Sequence, residues 1–481
     1  METQIQFRAS QSDRKQPKAF RACLALVLLL CFGAQALNAQ SSQPRQSTRV
    51  VVRTSLGLNG LLNLCKLLGC STTRSLGDPQ GQLFMIETPA ALNIVTSLLN
   101  INLLGILSIE TDQNVQTQEA SAGAIPSYLT DQKPFSYYGT TVWHGYVFQP
   151  GNQMIRSDAT HTSFGTAGAG VIVADIDTGV DPTHPVLKNV LVSGYDFTRN
   201  STGGSETADV TQSSVAVLDK QGNRPSRVSQ SAVAVLDQSA VAVLDGPEYA
   251  AFGHGTMTAG IIHLVAPQAQ IMPLKAFSAD GSGYNSDILR AIYYAVGHGA
   301  RVINMSFNYA SYSQELANAV NYATANGVVC VAAAGNSGEN VKVYPGALKG
   351  VIDVASTSNF DVPSSFSNYG APPVWLAAPG EGVMTTYPFG TYAAGWGTSF
   401  SAPMVSGTAA LMVSSYKAQA AAPKGLLGTL LQLLTLTPPN TEPQAANALA
   451  HTQAIPDPQM GHGRLDTYQA MQAWKTSLKL K

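Results

Sequence analysis

From about residue 170 the chain alternates short apolar runs with helical patterns, and this alternation limits the possible folds more than any other feature. "GVIVADID", "QIMPLKAF", "RVINMSF", "GVVCVAAAGN" and "VIDVAS" are strand-length and apolar almost throughout. A strand wet on one face alternates polar with apolar residues; these runs do not, so both faces must be covered. Between them, "SDILRAIYYAVGHG" and "SQELANAVNYATANG" carry apolar residues at helical spacing. The implied architecture is α/β, a parallel β-sheet with helices on both faces in three layers. Ligands on such sheets bind beyond the carboxyl ends of the strands.

A smaller unit precedes this region. "RVVVRTSL", "QLFMIET" and "LLGILSIET" are expected as strands, "LLNLCKLLG" and "PAALNIVTSLLNI" as helices. That order predicts a small α+β, ferredoxin-like sandwich over residues 48–113. The polar stretch "DQNVQTQEASAGA" follows, so residues 114–134 are expected as a linker and 135–475 as the main domain. At the N-terminus Arg14, Lys15, Lys18 and Arg21 precede "ACLALVLLLCFGAQAL", with small residues at Ala34, Ala36 and Ala39. This pattern predicts a signal peptide over residues 1–39 and a secreted protein, extracellular or periplasmic, with no membrane span once the signal is removed. "GLLGTLLQLLTL" (425–436) is expected as an amphipathic helix.

The chain has five cysteines, of which Cys23 and Cys31 leave with the signal. Cys330 lies in an apolar strand, and Cys65 and Cys70 are near enough to pair, which sequence does not decide. Charged residues make up 12% of the chain and the formal net charge is −1. Nothing here favours nucleic acid or an anionic membrane as partner.

Three stretches carry chemistry. "ADIDTGVD" ends a strand in Asp177, "FGHGTMTAG" places His254 at the start of a helix, and "GWGTSFSAP" places Ser399 at the start of another, with Pro403 expected in its first turn. Singly, each residue has a commoner role as a turn, packing or capping residue. Together, an acid, an imidazole and a hydroxyl at element ends are what nucleophilic acyl transfer needs. Serine is too weakly acidic to attack unaided; histidine takes its proton, and the carboxylate fixes the histidine tautomer. Small residues crowd His254 and Ser399, as expected where a substrate backbone comes close.

In the order Asp, His, Ser, these stretches resemble the subtilisin-like serine proteases. "VINMSFN" (302–308) is similar to the family segment that pairs with substrate backbone and forms one wall of the primary specificity pocket. "AAAGNSG" (332–338) is similar to the opposite wall. The resemblance implies a serine endopeptidase acting through an acyl-enzyme, with Asp177, His254 and Ser399 as triad and Asn336 as oxyanion donor. It implies Ser306, Phe307, Asn308, Ala333 and Gly335 as substrate-binding residues, and protein or peptide substrates. Residues 48–113 resemble the family's inhibitory propeptide, so the protein is expected as a zymogen with its propeptide as intramolecular inhibitor. The alternative, a catalytically inactive binding or surface module on the same fold, is disfavoured by the intact triad residues.

The chain departs from the family pattern at several points. Asp175 stands where an aliphatic residue is usual; alternation puts it on the same face as Asp177, as a hydrogen-bonded structural aspartate or as a residue tuning His254. Asn308 replaces a glycine, and Val343 is placed to narrow the base of the pocket. The loop that carries calcium in many relatives is missing after the His254 helix, so no metal site and no cofactor are expected, although weak oxygen-ligand sites leave little sequence trace. Finally, "QSAVAVLDQSAVAVLD" (230–245) is a tandem repeat, with "QSSVAVLD" upstream at 212–219. All three copies fall in an insertion, about 200–247, expected as a tolerated surface loop or a rim on the cleft.

Overall fold

The computed structural model describes residues 47–99, 105–116, 126–210, 234–235, 247–370, 373–420 and 441–478. The proposed signal peptide and the helix expected at 425–436 lie outside the described residues. The chain divides into two units. One comprises residues up to Arg74 with Phe84–Ile109, and the other Ser75–Leu83 with Glu110 onward.

In the first unit β1 (Thr48–Thr54), α1 (Gly57–Leu68), β2 (Thr72–Ser75), β3 (Leu83–Thr88), α2 (Leu92–Leu99) and β4 (Ile106–Thr111) follow in sequence. The sheet order is β2-β3-β1-β4. Val50, Val52, Phe84 and Ile86 from the sheet meet Leu61 and Val95 from the helices in one buried cluster. β2, "TTRS", is absent from the sequence expectation because it has no apolar signature. Cys65 and Cys70 are disulfide-bonded, with Cα atoms 5.1 Å apart.

The second unit carries β5 (Asn114–Gln116), then a hairpin of β6 (Pro134–Tyr137) and β7 (Thr140–Trp143). The main sheet is built from β8 (Ile172–Asp177), β9 (Tyr195–Asp196), β10 (Ser201–Thr202), β12 (Gln270–Lys275), β14 (Val302–Met305), β15 (Val329–Ala333), β16 (Val351–Thr357) and β17 (Leu376–Pro379). Its order is β10-β9-β12-β8-β14-β15-β16-β17, and the six longer strands run parallel. Every apolar run singled out in the sequence is one of these strands.

Helices α3 (His254–Val265), α4 (Asn285–Gly297), α5 (Gln314–Ala325) and α6 (Thr398–Ala420) cover the sheet, and α7 (Thr467–Ser477) packs on α6. α3 is buried along its whole length. Val173, Val331, Ala333 and Val354 of the sheet share a cluster with Ile261 of α3 and Leu411 of α6. The intervening Ala174 and Ile176 are equally buried, on the side of β8 that α4 packs against. Both faces of the strands are therefore dry, which is why their sequences do not alternate.

Two segments differ from expectation. The stretch expected as linker holds β5, which pairs antiparallel with β13 (Ser282–Tyr284). In the insertion, residues 196–210 are folded onto the sheet through β9, β10 and the turn Glu206–Asp209. Of the repeats, only β11 (Ala234–Val235) is described. It pairs with β19 (Thr391–Gly395) in a small sheet with β18 (Val383–Tyr387), away from the main sheet.

Candidate active site

The carboxyl ends of β8 and β14 meet the N-termini of α3 and α6. Asp177 is the last residue of β8, and its Oδ1 and Oδ2 lie 2.7 and 2.9 Å from His254 Nδ1. Asp177 Oδ1 also accepts the Thr178 N–H at 2.7 Å. A carboxylate can only accept, so the neutral ring carries its proton on Nδ1 and presents a lone pair at Nε2. Burial alone would depress the imidazolium. The charge and hydrogen bond of Asp177, helped by Glu206, outweigh it and hold the pKa above the ordinary histidine value.

His254 opens α3 behind Gly253, whose φ is 96°. A β-carbon on Gly253 would stand 2.2 Å from Tyr387 Cε2, and one on Gly255 would stand 2.0 Å from the Gly179 carbonyl oxygen. The packing of α3 against Tyr387 and the turn after β8 by itself requires these small residues.

Ser399 is the second residue of α6 and is buried. Its neighbour Phe400 places a ring 5.7 Å from the His254 ring, so the helix start lies beside the imidazole. Pro403 sits inside the helix, not in its first turn. Having no N–H, it leaves the Ser399 carbonyl without its usual helical donor. Ser306 supplies one, its Oγ donating to Ser399 O at 2.9 Å. The proline is thus tolerated because the residue that follows β14 supplies the missing donor.

Asn336 Oδ1 accepts from Thr398 N and Thr398 Oγ1, each at 2.9 Å. The Thr398 N–H can only donate, so it fixes the rotation of the amide and makes Nδ2 its donor end. The Gly335 N–H in turn donates to Thr398 Oγ1 at 3.0 Å. The loop after β15 is thereby tied to the residue before Ser399.

Among the residues expected to bind substrate, Ser306 and Phe307 turn their side chains inward, Ser306 to Ser399 and Phe307 against Phe277 at 4.9 Å between rings. Ala333 ends β15, opposite Val354. Asn308 lies beside Gly335, where even a β-carbon would come within 3.2 Å of its Oδ1 and Nδ2. Asn308 Oδ1 is buried and meets no donor among the described residues. Val343 is also buried.

Two residues of the site escaped the sequence reading. Glu206, fully buried, accepts Thr178 Oγ1 at 2.5 Å and Gly253 N at 2.6 Å on Oε1. On Oε2 it accepts Thr256 Oγ1 at 2.6 Å and Thr256 N at 3.3 Å. Burial pushes its carboxyl up to about 7 against the pull of the threonine hydroxyls and Lys275. Lys275 Nζ is fully buried and donates to Thr178 O, Phe277 O and Asp209 Oδ2, each at 2.7 Å. A lysine in the apolar run "QIMPLKAF" was a usable signal. Glu206, in a polar stretch after two glycines, had none.

Asp175 faces α3 as Asp177 does, as strand alternation requires. It takes a bond from Asn304 Nδ2 at 2.8 Å and contacts Thr258 Oγ1 at 2.8 Å. Burial, then the Asp177 charge, raise its carboxyl well above the usual range.

Comparisons with known proteins identify what the chain is similar to. Residues 168–454 match the Subtilase family. A "Thermophilic serine proteinase" of Bacillus sp. (strain AK1) is 34% identical over 280 residues, 57% of this chain and 59% of that protein. "Thermitase" of Thermoactinomyces vulgaris is 35% identical over 257 residues, 51% of this chain and 76% of its own length. Among solved structures, "Crystal Structure of a Lanthipeptide Protease" superposes with a TM-score of 0.50 at 25% identity, covering 67% of this chain and 94% of that one.

Proposed function

The chain belongs to the subtilase family, and on that premise we propose that it is a secreted serine endopeptidase, made as a zymogen, with Asp177, His254 and Ser399 as its triad. The observation that carries the proposal is the buried Asp177–His254 pair, 2.7 Å at its shorter contact, beside the start of the Ser399 helix. Ser399 Oγ attacks the scissile carbonyl while His254 Nε2 takes its proton, and Asp177 holds the tautomer and stabilises the imidazolium that forms. Asn336 Nδ2 and the Ser399 N–H receive the oxyanion, the latter with the helix N-terminus behind it. His254 then returns the proton to the leaving amine, and water hydrolyses the acyl-enzyme by the same path in reverse. Protein or peptide chains are the substrates, and no membrane-crossing helix is present among the described residues.

The zymogen reading has support of its own. Glu110 caps α5, its carboxylate accepting Gln314 N at 2.8 Å, Glu315 N at 3.2 Å and Ser313 Oγ at 2.6 Å. Asp112 does the same at the start of α4, accepting Ser286 N at 2.8 Å and Ser286 Oγ at 2.9 Å. Two helix N-termini thus hold two carboxylates, a favourable arrangement for both dipoles. β5 then continues as a strand along β13, as a bound peptide would.

Ser399→Ala should abolish peptide hydrolysis and leave the full-length precursor uncut. Peptide hydrolysis and the mass of the purified product decide this. A processed, active Ser399→Ala protein would refute the assignment.

A further inference from the structure

We propose that Asp175 is a positioning residue of the active site: held as a neutral carboxylic acid, it is the middle link of a buried hydrogen-bond chain running from the first turn of the His254 helix to the backbone of Ser399. The inference rests on the triad proposed above and adds a residue to it.

Counting protons along the chain shows that this state satisfies every contact. Ser306 Oγ gives its only proton to Ser399 O at 2.9 Å, so it accepts from Asn304 Nδ2 at 2.9 Å. The second Nδ2 hydrogen goes to Asp175 Oδ1 at 2.8 Å, and Ser406 Oγ donates to Asn304 Oδ1 at 2.9 Å, which fixes that amide. At the other end Thr258 Oγ1 lies 2.8 Å from Asp175 Oδ2 and 3.0 Å from Gly255 O. A carbonyl cannot donate and a hydroxyl has one proton. If the acid is ionised, that proton goes to Oδ2; if the acid is protonated, its own proton fills the contact to Oδ2 and the hydroxyl is free to meet Gly255 O. Protonated Asp175 satisfies both contacts; ionised Asp175 would draw the hydroxyl away from Gly255 O.

The surroundings favour the neutral form. On β12 the residue opposite Asp175 is Pro273, which has no N–H, and on β14 it is Asn304. α6 contributes only the neutral Ser406, through Asn304. The titratable groups nearby are Asp177 on the same strand, His254 and His263 on α3, and Glu206 and Lys275 around the end of β8. His263 is neutral, burial pushing it down to about 4. Lys275 spends its three donors elsewhere. The nearest charge is therefore the Asp177 anion, and it opposes a second anion, as burial does. A neutral acid binds strand and helix together without adding charge beside the triad.

The test uses the full chain expressed with its propeptide. Asp175→Ala breaks the chain and should lower kcat about tenfold or more with little change in KM. Asp175→Asn can donate to Thr258 and accept from Asn304, so it should restore kcat/KM to within about threefold of wild type. Because the wild-type acid is already neutral there, the acid limb of the kcat/KM–pH profile should not move in Asp175→Asn. Infrared difference spectra should show a protonated-carboxyl C=O band in wild type that Asp175→Asn lacks. A downward shift of the acid limb, an Asp175→Asn enzyme as slow as Asp175→Ala, or absence of the band would overturn the proposal. The band is independent of activity, so it still reports on Asp175 if Ser399→Ala shows the triad to be misassigned.

Discussion

Glu206 and Asp175 lie on either side of the first turn of α3, both fully buried, and they differ in the donors they meet. Glu206 receives two backbone N–H groups and two hydroxyls. Those hydroxyls each accept a backbone N–H as well, Thr178 from Gly255 and Thr256 from Asp181, so their own protons are available to the carboxylate. Asp175 receives one amide and shares one hydroxyl with a carbonyl. Depth of burial is therefore a poor guide to charge in this site. The donor count pulls Glu206 back toward the anion and leaves Asp175 with its proton.

The comparison is broken most forcefully by truncation. Glu206→Ala strands four donors in a dry site and should cost on the order of 3 kcal/mol. Asp175→Ala strands one amide hydrogen and should cost on the order of 1 kcal/mol. Denaturant unfolding of both variants measures the difference, and equal losses would remove the distinction by donor count.

A smaller effect separates their charges. Activity requires neutral His254, so kcat/KM rises as pH climbs through the His254 pKa, which stands above the ordinary value of about 6.5. The Glu206 anion stabilises the imidazolium, so Glu206→Gln should move that limb to lower pH, whereas Asp175→Asn should leave it in place. Stability follows the same charge. The folded pKa of Glu206, about 7, is raised above its unfolded value, so its contribution is fully present at low pH and fades as pH rises toward and through 7. Glu206→Gln should lack that component of the slope.

What sequence made legible follows the same division. The strands were readable because both their faces are dry, and Asp177, His254 and Ser399 because each sits in a short local motif. Glu206 was not, because its partners Thr178 and Thr256 lie far away in sequence and its own neighbourhood has no periodicity. Nor was the environment of Asp175 legible, since Thr258 and Asn304 reach it from a helix and a neighbouring strand. The contacts of Gly253 and Gly255 with Tyr387 and the Gly179 carbonyl, which set their size, are likewise made by residues that no local motif indicates. The insertion reads in sequence as one loop, although its foot supplies Glu206 and Asp209 to the buried network.

That foot sharpens the comparison once more, with the smallest effect. Deleting residues 230–245 removes the tandem repeats, including β11 at the edge of the small sheet, and leaves 196–210 intact. Thermal stability should change little and kcat/KM on a short peptide should stay within about threefold. An unfolded or inactive deletion variant would mean that the repeats belong to the core.

The central claim is that Ser399 is activated by the Asp177–His254 pair. Reaction of the mature protein with a serine-directed fluorophosphonate, followed by peptide mass mapping, tests it in one step. The account predicts a single adduct on Ser399 that is lost in His254→Ala although the serine remains. Labelling at another residue, or equal labelling of Ser399 without His254, would contradict it.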